Sequence, residues 1–269
     1  MVNIVSQIEC VCRGKRNKNI FASHLILLLL LTGCKSTDSG PVQYKANDEL
    51  VVLAHGLGRS DWAMRYFAQQ LKRARYKVCS LDYASIGQSV KALLLQTNKQ
   101  INACISNANK IHFVGHSLGG LIIRAYLQNN SAVLNSNKLG NVVLIGTPNK
   151  GSELANHLNG SWLLHIAGGV SQALVTGDNS LGNTIDELDI NVGVIAGTKA
   201  SALTQHYFNG KNDGLVSVES TKLSNMRDFI TLDVSHTGMR YNQQVIQHTL
   251  NFLQTGAFPP PTRRTTALF

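Results

Sequence analysis

An α/β fold, a mostly parallel sheet flanked by helices, is what this sequence predicts. Short apolar runs of strand length recur along the chain and alternate with longer stretches of helical character. At residues 111–127 an apolar run passes through a Gly-rich turn into a second apolar stretch, a strand–turn–helix unit. The chain has 269 residues and is 43% hydrophobic, which suits a single globular domain.

The elements follow in order. Residues 50–54 form the first apolar run, read as a strand. Ser60-Asp61 is expected to cap a helix in which Trp62, Tyr66, Phe67 and Leu71 make a core-facing stripe. A strand at 77–81 leads to a helix at 89–107 and then to the strand ending at Val114. The next strand is Val142-Val143-Leu144-Ile145, closed by Gly146-Thr147-Pro148. Strands at 192–196 and 229–232 and a helix at 242–253 complete the domain, expected to span residues 49–256. The Pro-, Thr- and Arg-bearing residues 257–269 read as a flexible tail. Residues 149–190 break the alternation. They are either a small cap or lid lining a pocket, or a connecting excursion packed on the body.

The motif with the most chemistry is Gly115-His116-Ser117-Leu118-Gly119, a G-x-S-x-G between a strand and a helix. Such a turn lifts a serine hydroxyl above the sheet, and the flanking glycines remove Cβ atoms that would clash. Ser117 is therefore the candidate nucleophile. A second motif, His55-Gly56-Leu57-Gly58, follows the first strand. Its histidine reads as a structural turn residue.

On these two motifs the chain resembles the α/β-hydrolase family, its lipase and esterase members in particular. The loop Gly146-Thr147-Pro148-Asn149-Lys150-Gly151-Ser152-Glu153 also resembles the corresponding loop of bacterial lipases and deacylase-type relatives. The resemblance covers about residues 49–253. It implies an α/β-hydrolase fold, an oxyanion hole from the backbone N–H groups of Leu57 and Leu118, and no cofactor or metal. It also implies the chain order Ser, then acid, then His. Asp213 follows the late apolar run at 192–197 and sits in an Asn- and Gly-rich turn; His236 follows the final strand. Asp178, Asp186, Glu187 and Asp189 come too early for the usual acid, and Asp228 and Asp233 suit solvated or capping roles. The activity implied is serine hydrolysis of carboxylic esters, lipid esters included, through an acyl-enzyme. An acyltransferase with the same triad, or an envelope lipoprotein using the fold as a binding module, are the alternatives.

Residues 1–33 read as a secretory signal. Arg13, Lys15, Arg16 and Lys18 precede the apolar run Leu25–Leu31, which is shorter than a spanning helix needs. Leu31-Thr32-Gly33-Cys34 resembles the bacterial lipobox, which implies lipid attachment at Cys34, a membrane anchor and a place in the cell envelope. Lys35 after the cysteine is similar to the default outer-membrane route of Gram-negative lipoproteins. Residues 34–48 then serve as a polar tether.

The formal net charge of +10 is spread thinly, with no basic run flanked by aromatics, which argues against nucleic-acid binding. Neither an H-E-x-x-H motif nor Cys and His at zinc spacing occurs. Of the five cysteines, the lipobox resemblance implies that Cys10 and Cys12 would leave with the signal and that Cys34 would carry lipid. Cys79 and Cys104 remain, either as a disulfide or as two buried thiols.

Overall fold

The computed structural model of the chain describes residues 49–158 and 169–260. The expected signal peptide, Cys34 and the expected tether lie outside these residues, as do 159–168 of the expected cap and 261–269 of the expected tail. The strands are β1 (Glu49–Ala54), β2 (Lys77–Ser80), β3 (Lys110–His116), β4 (Leu139–Ile145), β5 (Val192–Gly197) and β6 (Asp228–Leu232). They form one sheet in the order β2-β1-β3-β4-β5-β6, and every neighbouring pair is parallel. The helices are α1 (Arg65–Arg73), α2 (Val90–Ile105), α3 (Leu118–Asn129), α4 (Ser131–Leu134), α5 (Glu153–Leu158), α6 (Gly169–Gln172), α7 (Val218–Thr221) and α8 (Gln243–Thr255). This is the α/β-hydrolase fold. Among the described residues no helix is long and apolar enough to cross a membrane.

The strands read as continuous apolar runs because both faces of the sheet are covered. Side chains alternate between two cores. Leu50, Val52, Phe113, Val142, Leu144 and Val194 pack on the side of α2 and α3. Val51, Leu53, Val114, Val143, Ile145 and Ile195 pack on the side of α1 and α8. Helix α3 is buried at every position from Leu118 to Leu127, as suits a helix apolar on all sides.

The order of the strands fixes where chemistry can occur. The chain runs from β1 outward to β2, then returns to the other side of β1 with β3. The connections after β1 and β3 thus leave in opposite directions and open a crevice at the strands' carboxyl ends. Ala54 pairs with Gly115, so the turn starting at His55 lies beside the turn at His116 and Ser117.

Two expectations change. Phe67 and Leu71 are buried as predicted, but Trp62 is 68% exposed and Tyr66 37% exposed. Residues Asp61–Met64 form a 3-10 turn, and the α-helix begins only at Arg65. A helix of this length buries one stripe, and Met64, Phe67 and Leu71 supply it. Ser60 stands at the N-cap, yet its side chain makes no capping hydrogen bond. At the other end, the domain runs past residue 256. Phe258 is buried against Phe252, ring centroids 4.9 Å apart, and its N–H donates to Asp228 Oδ2 at 2.7 Å. Asp228 thereby pins the chain after α8 to the start of β6.

Cys79 on β2 and Cys104 on α2 are joined by a disulfide, with Cα atoms 6.0 Å apart. The described parts of 149–190 pack on the body and reach its core, where Val170, Leu174, Leu181 and Ile185 are buried. Arg124, also buried, holds this segment to α3. Its guanidinium donates to Asn149 Oδ1 at 3.1 Å and to the carbonyls of Gly182 and Ile185 at 3.2 and 2.9 Å.

Candidate active site

Ser117 sits between β3 and α3 with φ 56° and ψ −126°, a region that L-residues rarely occupy. Such a conformation costs on the order of 1–3 kcal/mol and needs support from its surroundings. Its N–H donates to Ile145 O at 2.9 Å. The neighbouring glycines let the turn close. A Cβ on Gly115 would meet Gly120 N at 2.5 Å, and one on Gly119 would strike the carbonyl of Ala54. The two turns at the crevice are in contact, since a Cβ on Gly56 would lie 3.1 Å from the Ser117 Cβ. Leu57 and Leu118 stand one residue beyond Gly56 and Ser117. Among the described residues neither of their N–H groups has a protein acceptor.

His55 is fully buried. It stacks on Tyr83 with ring centroids 3.9 Å apart, and Tyr83 donates its hydroxyl to the His55 carbonyl. Burial holds its pKa below the ordinary histidine value. It is a structural turn residue, as the sequence suggests.

Asp213 and His236 come from the connections after β5 and β6. The Asn-Asp-Gly turn folds onto its own carboxylate: Asp213 Oδ1 accepts the N–H groups of Leu215 and Val216 at 2.9 and 2.8 Å. The other oxygen, Oδ2, accepts His236 Nδ1–H at 2.7 Å. The backbone repeats the link, with His236 N–H donating to Asp213 O at 2.9 Å. Both side chains are buried. Gly146, at φ 56°, lies directly behind the pair: a Cβ there would come within 3.3 Å of Asp213 Oδ2 and His236 Nδ1. With Nδ1 donating to a carboxylate, Nε2 of neutral His236 is left as an acceptor.

Ser117 and His236 line one cavity of about 220 Å³. Leu154, Leu174, Leu215 and Val216 make its apolar wall, and Arg59 and Arg240 line it as well. The structure thus brings Ser117, His236 and the Leu57 turn to one cavity, with Asp213 behind His236. Asp186 and Glu187 stand apart from this group. Asp186 N–H is taken by Gln128 and Glu187 is bound to Ser224. Among the described residues no group of three or more His, Cys, Asp or Glu side chains is placed to hold a metal ion.

Sequence reasoning missed three residues. His116 is buried, and its Nε2–H donates to His236 O at 2.9 Å. Burial, then the charge of His236, holds its pKa well below the ordinary value, so it is neutral. The only signal was its place beside the serine. Arg124 could have been noticed as a lone charge inside the apolar run 121–127. Arg240 reaches the cavity from a 3-10 turn after His236, and nothing in its sequence context marks it.

Comparisons with known proteins agree with this architecture. Residues 50–190 match the family model of palmitoyl protein thioesterase. The lipase BlEst2 of Bacillus licheniformis, in mature form, superposes with a TM-score of 0.61 at 23% identity, covering 79% of this chain and 93% of that one. The metagenomic carboxyl esterase MGS0156 does so with a TM-score of 0.57 at 14% identity, over 75% and 68% of the two chains. Tomato methylketone synthase I, complexed with 2-tridecanone, reaches 0.50 at 14% identity, over 77% and 98%. At such identities these likenesses establish the fold alone. A sequence search of curated proteins returns no match.

Proposed function

The chain belongs to the palmitoyl protein thioesterase family, and from that premise we propose that it is a serine hydrolase of acyl esters or thioesters working through Ser117, His236 and Asp213. The observation that carries this reading is the 2.7 Å bond between Asp213 Oδ2 and His236 Nδ1, made at the wall of the cavity that Ser117 lines. A carboxylate in that place fixes the tautomer whose Nε2 can take a proton.

In the reaction, Ser117 Oγ attacks the acyl carbonyl while His236 Nε2 takes the hydroxyl proton. The tetrahedral oxyanion is held by the N–H groups of Leu57 and Leu118, whose strand ends the register places side by side. Collapse breaks the bond to the leaving oxygen or sulfur, which receives the proton from His236. Water, deprotonated by His236, then attacks the acyl-enzyme and releases the acid and Ser117. Asp213 stays ionised, accepts from the imidazole and stabilises its charged form.

Labelling with a fluorophosphonate probe tests the reading. Wild-type protein should be labelled and should turn over p-nitrophenyl butyrate, and Ser117→Ala should lose both with an unchanged circular dichroism spectrum. Wild-type turnover in Ser117→Ala would remove the serine from the mechanism.

The proposal extends to location. The signal-like residues 1–33 and the lipobox-like Leu31–Cys34 support an envelope enzyme anchored by lipid on Cys34, its domain held on the tether 34–48. Metabolic labelling with a fatty-acid analogue should mark the wild type and not Cys34→Ser. Mass spectrometry showing an unmodified Cys34 in cells would overturn the anchor.

A further inference from the structure

Arg240 is only 5% exposed, lines the cavity of Ser117 and, among the described residues, has no carboxylate partner. Its Nε donates to Thr237 O at 3.3 Å and one Nη to Ala63 O at 3.2 Å, which fixes the guanidinium and leaves further N–H donors uncommitted. Arg59, on the turn after Leu57, lines the same cavity, and burial first, with a smaller push from the Arg59 charge, disfavours the charged form of Arg240. Among the described residues that line the cavity none is Asp or Glu. Two like charges facing one cavity, one of them buried with no counter-ion among the described residues, are costly by themselves. The arrangement is favourable once an anion enters between them.

Resting on the hydrolase reading above, we propose that Arg59 and Arg240 form an anion subsite for a phosphate on the substrate's leaving group. The preferred substrates are then acyl esters or thioesters of a phosphate-bearing alcohol or thiol. The chemistry of the lining residues divides into two kinds. Leu154, Leu174, Leu215 and Val216 offer an apolar wall to the acyl chain. The arginines offer nothing to a hydrocarbon, so they serve the other side of the scissile bond. Guanidinium forks match phosphate oxygens, and two of them match a group with several oxygens better than they match an alcohol. Chemistry at the carbonyl is unchanged. The bond from acyl carbon to leaving oxygen or sulfur breaks, His236 protonates the leaving atom, and the phosphate stays intact throughout.

The test separates binding from turnover. In Ser117→Ala protein, calorimetric titration with octyl phosphate and with octanol should give at least about tenfold tighter binding of the phosphate. Arg59→Gln and Arg240→Lys, each made in that background, should shrink the ratio to less than about threefold. Arg59 is exposed, so its variant tests the subsite even if the buried Arg240 variant fails to fold. Arg73→Gln, on the exposed face of α1, should leave the ratio unchanged and thereby controls for net charge. Turnover of a lysophosphatidylglycerol and of an acyl-coenzyme A of equal chain length then distinguishes a lipid headgroup from a soluble phosphate-bearing thiol as the source. Equal affinities for octyl phosphate and octanol, or a ratio that survives both arginine variants, would overturn the subsite. If the Ser117 probe experiment fails while octyl phosphate still binds through the arginines, the hydrolase reading falls and the subsite stands.

Discussion

His116 donates its Nε2–H to the backbone carbonyl of His236 at 2.9 Å, so the residue preceding the elbow serine holds the loop that carries the proposed base. Ser117 and His236 are 119 positions apart in the chain, and this bond ties their two loops directly. The rings of His116 and His236 are 4.8 Å apart, and the buried His116 stays neutral. Its role is positioning. His116→Ala should lower kcat by about 10- to 100-fold through misplacement of His236, with KM little changed. His116→Gln, which can still donate across the gap, should recover part of the loss. A His116→Ala enzyme with wild-type kcat would show that the loop holds itself.

Asp213→Asn is the sharpest test of the acid. An asparagine oxygen can still accept from Leu215 and Val216, so the turn should persist. Its amide nitrogen then faces His236 Nδ1 and favours the tautomer whose Nε2 carries the proton. Turnover should fall about 10⁴-fold while thermal stability changes little. A loss under about tenfold would place the acid elsewhere.

The sheet was legible in the sequence because parallel strands covered on both faces are apolar throughout, and β1, β3, β4 and β5 stand out as such runs. The elbow was legible because Gly115 and Gly119 are demanded by close backbone contacts. What local pattern could not give was phase and distance. Trp62 looks like core by spacing, but the 3-10 turn at 61–64 and the single buried stripe of α1 leave it exposed. Phe258 looks like tail because proline follows it, yet its N–H donates to the carboxylate of Asp228, 30 residues earlier, which brings it in. Arg59 and Arg240 meet only in the folded chain, so their shared cavity has no signature in either segment.

The Cys79–Cys104 disulfide spans 25 residues between the edge strand β2 and α2. Closing a loop of that length in the unfolded chain corresponds to about 3.5 kcal/mol of stabilisation. In a domain of this size that is a drop of about 10 °C in Tm on its loss. Cys79→Ser with Cys104→Ser should show this drop in differential scanning calorimetry with esterase turnover retained at 25 °C, since neither cysteine lines the cavity of Ser117. Alkylation without prior reduction should leave both cysteines unmodified in the wild type. Two free thiols in protein purified from its native compartment would refute the bridge there.

Stability should fall with acid well before the carboxylates protonate, and His112 is one reason. It lies in β3, buried against Gly140, and its Nδ1 accepts the Asn141 N–H at 3.0 Å while Nε2 is 3.4 Å from Glu49 Oε2. A second ring proton would have to sit where Asn141 donates. Burial, with a smaller push from Lys110, holds the His112 pKa at about 4, down from 6.5. Between those values the unfolded chain binds a proton that the folded one does not. The associated stability is therefore complete above about pH 6.5 and is lost as pH falls toward 4, to a total of about 3 kcal/mol. His55 and His116, also lowered by burial, act in the same direction. Tm should decline steadily from pH 6.5 to 4.5. His112→Gln, whose side-chain oxygen can accept from Asn141 without titrating, should flatten that decline even if it costs stability at neutral pH. Parallel Tm–pH curves for wild type and variant would show that His112 does not contribute to the decline.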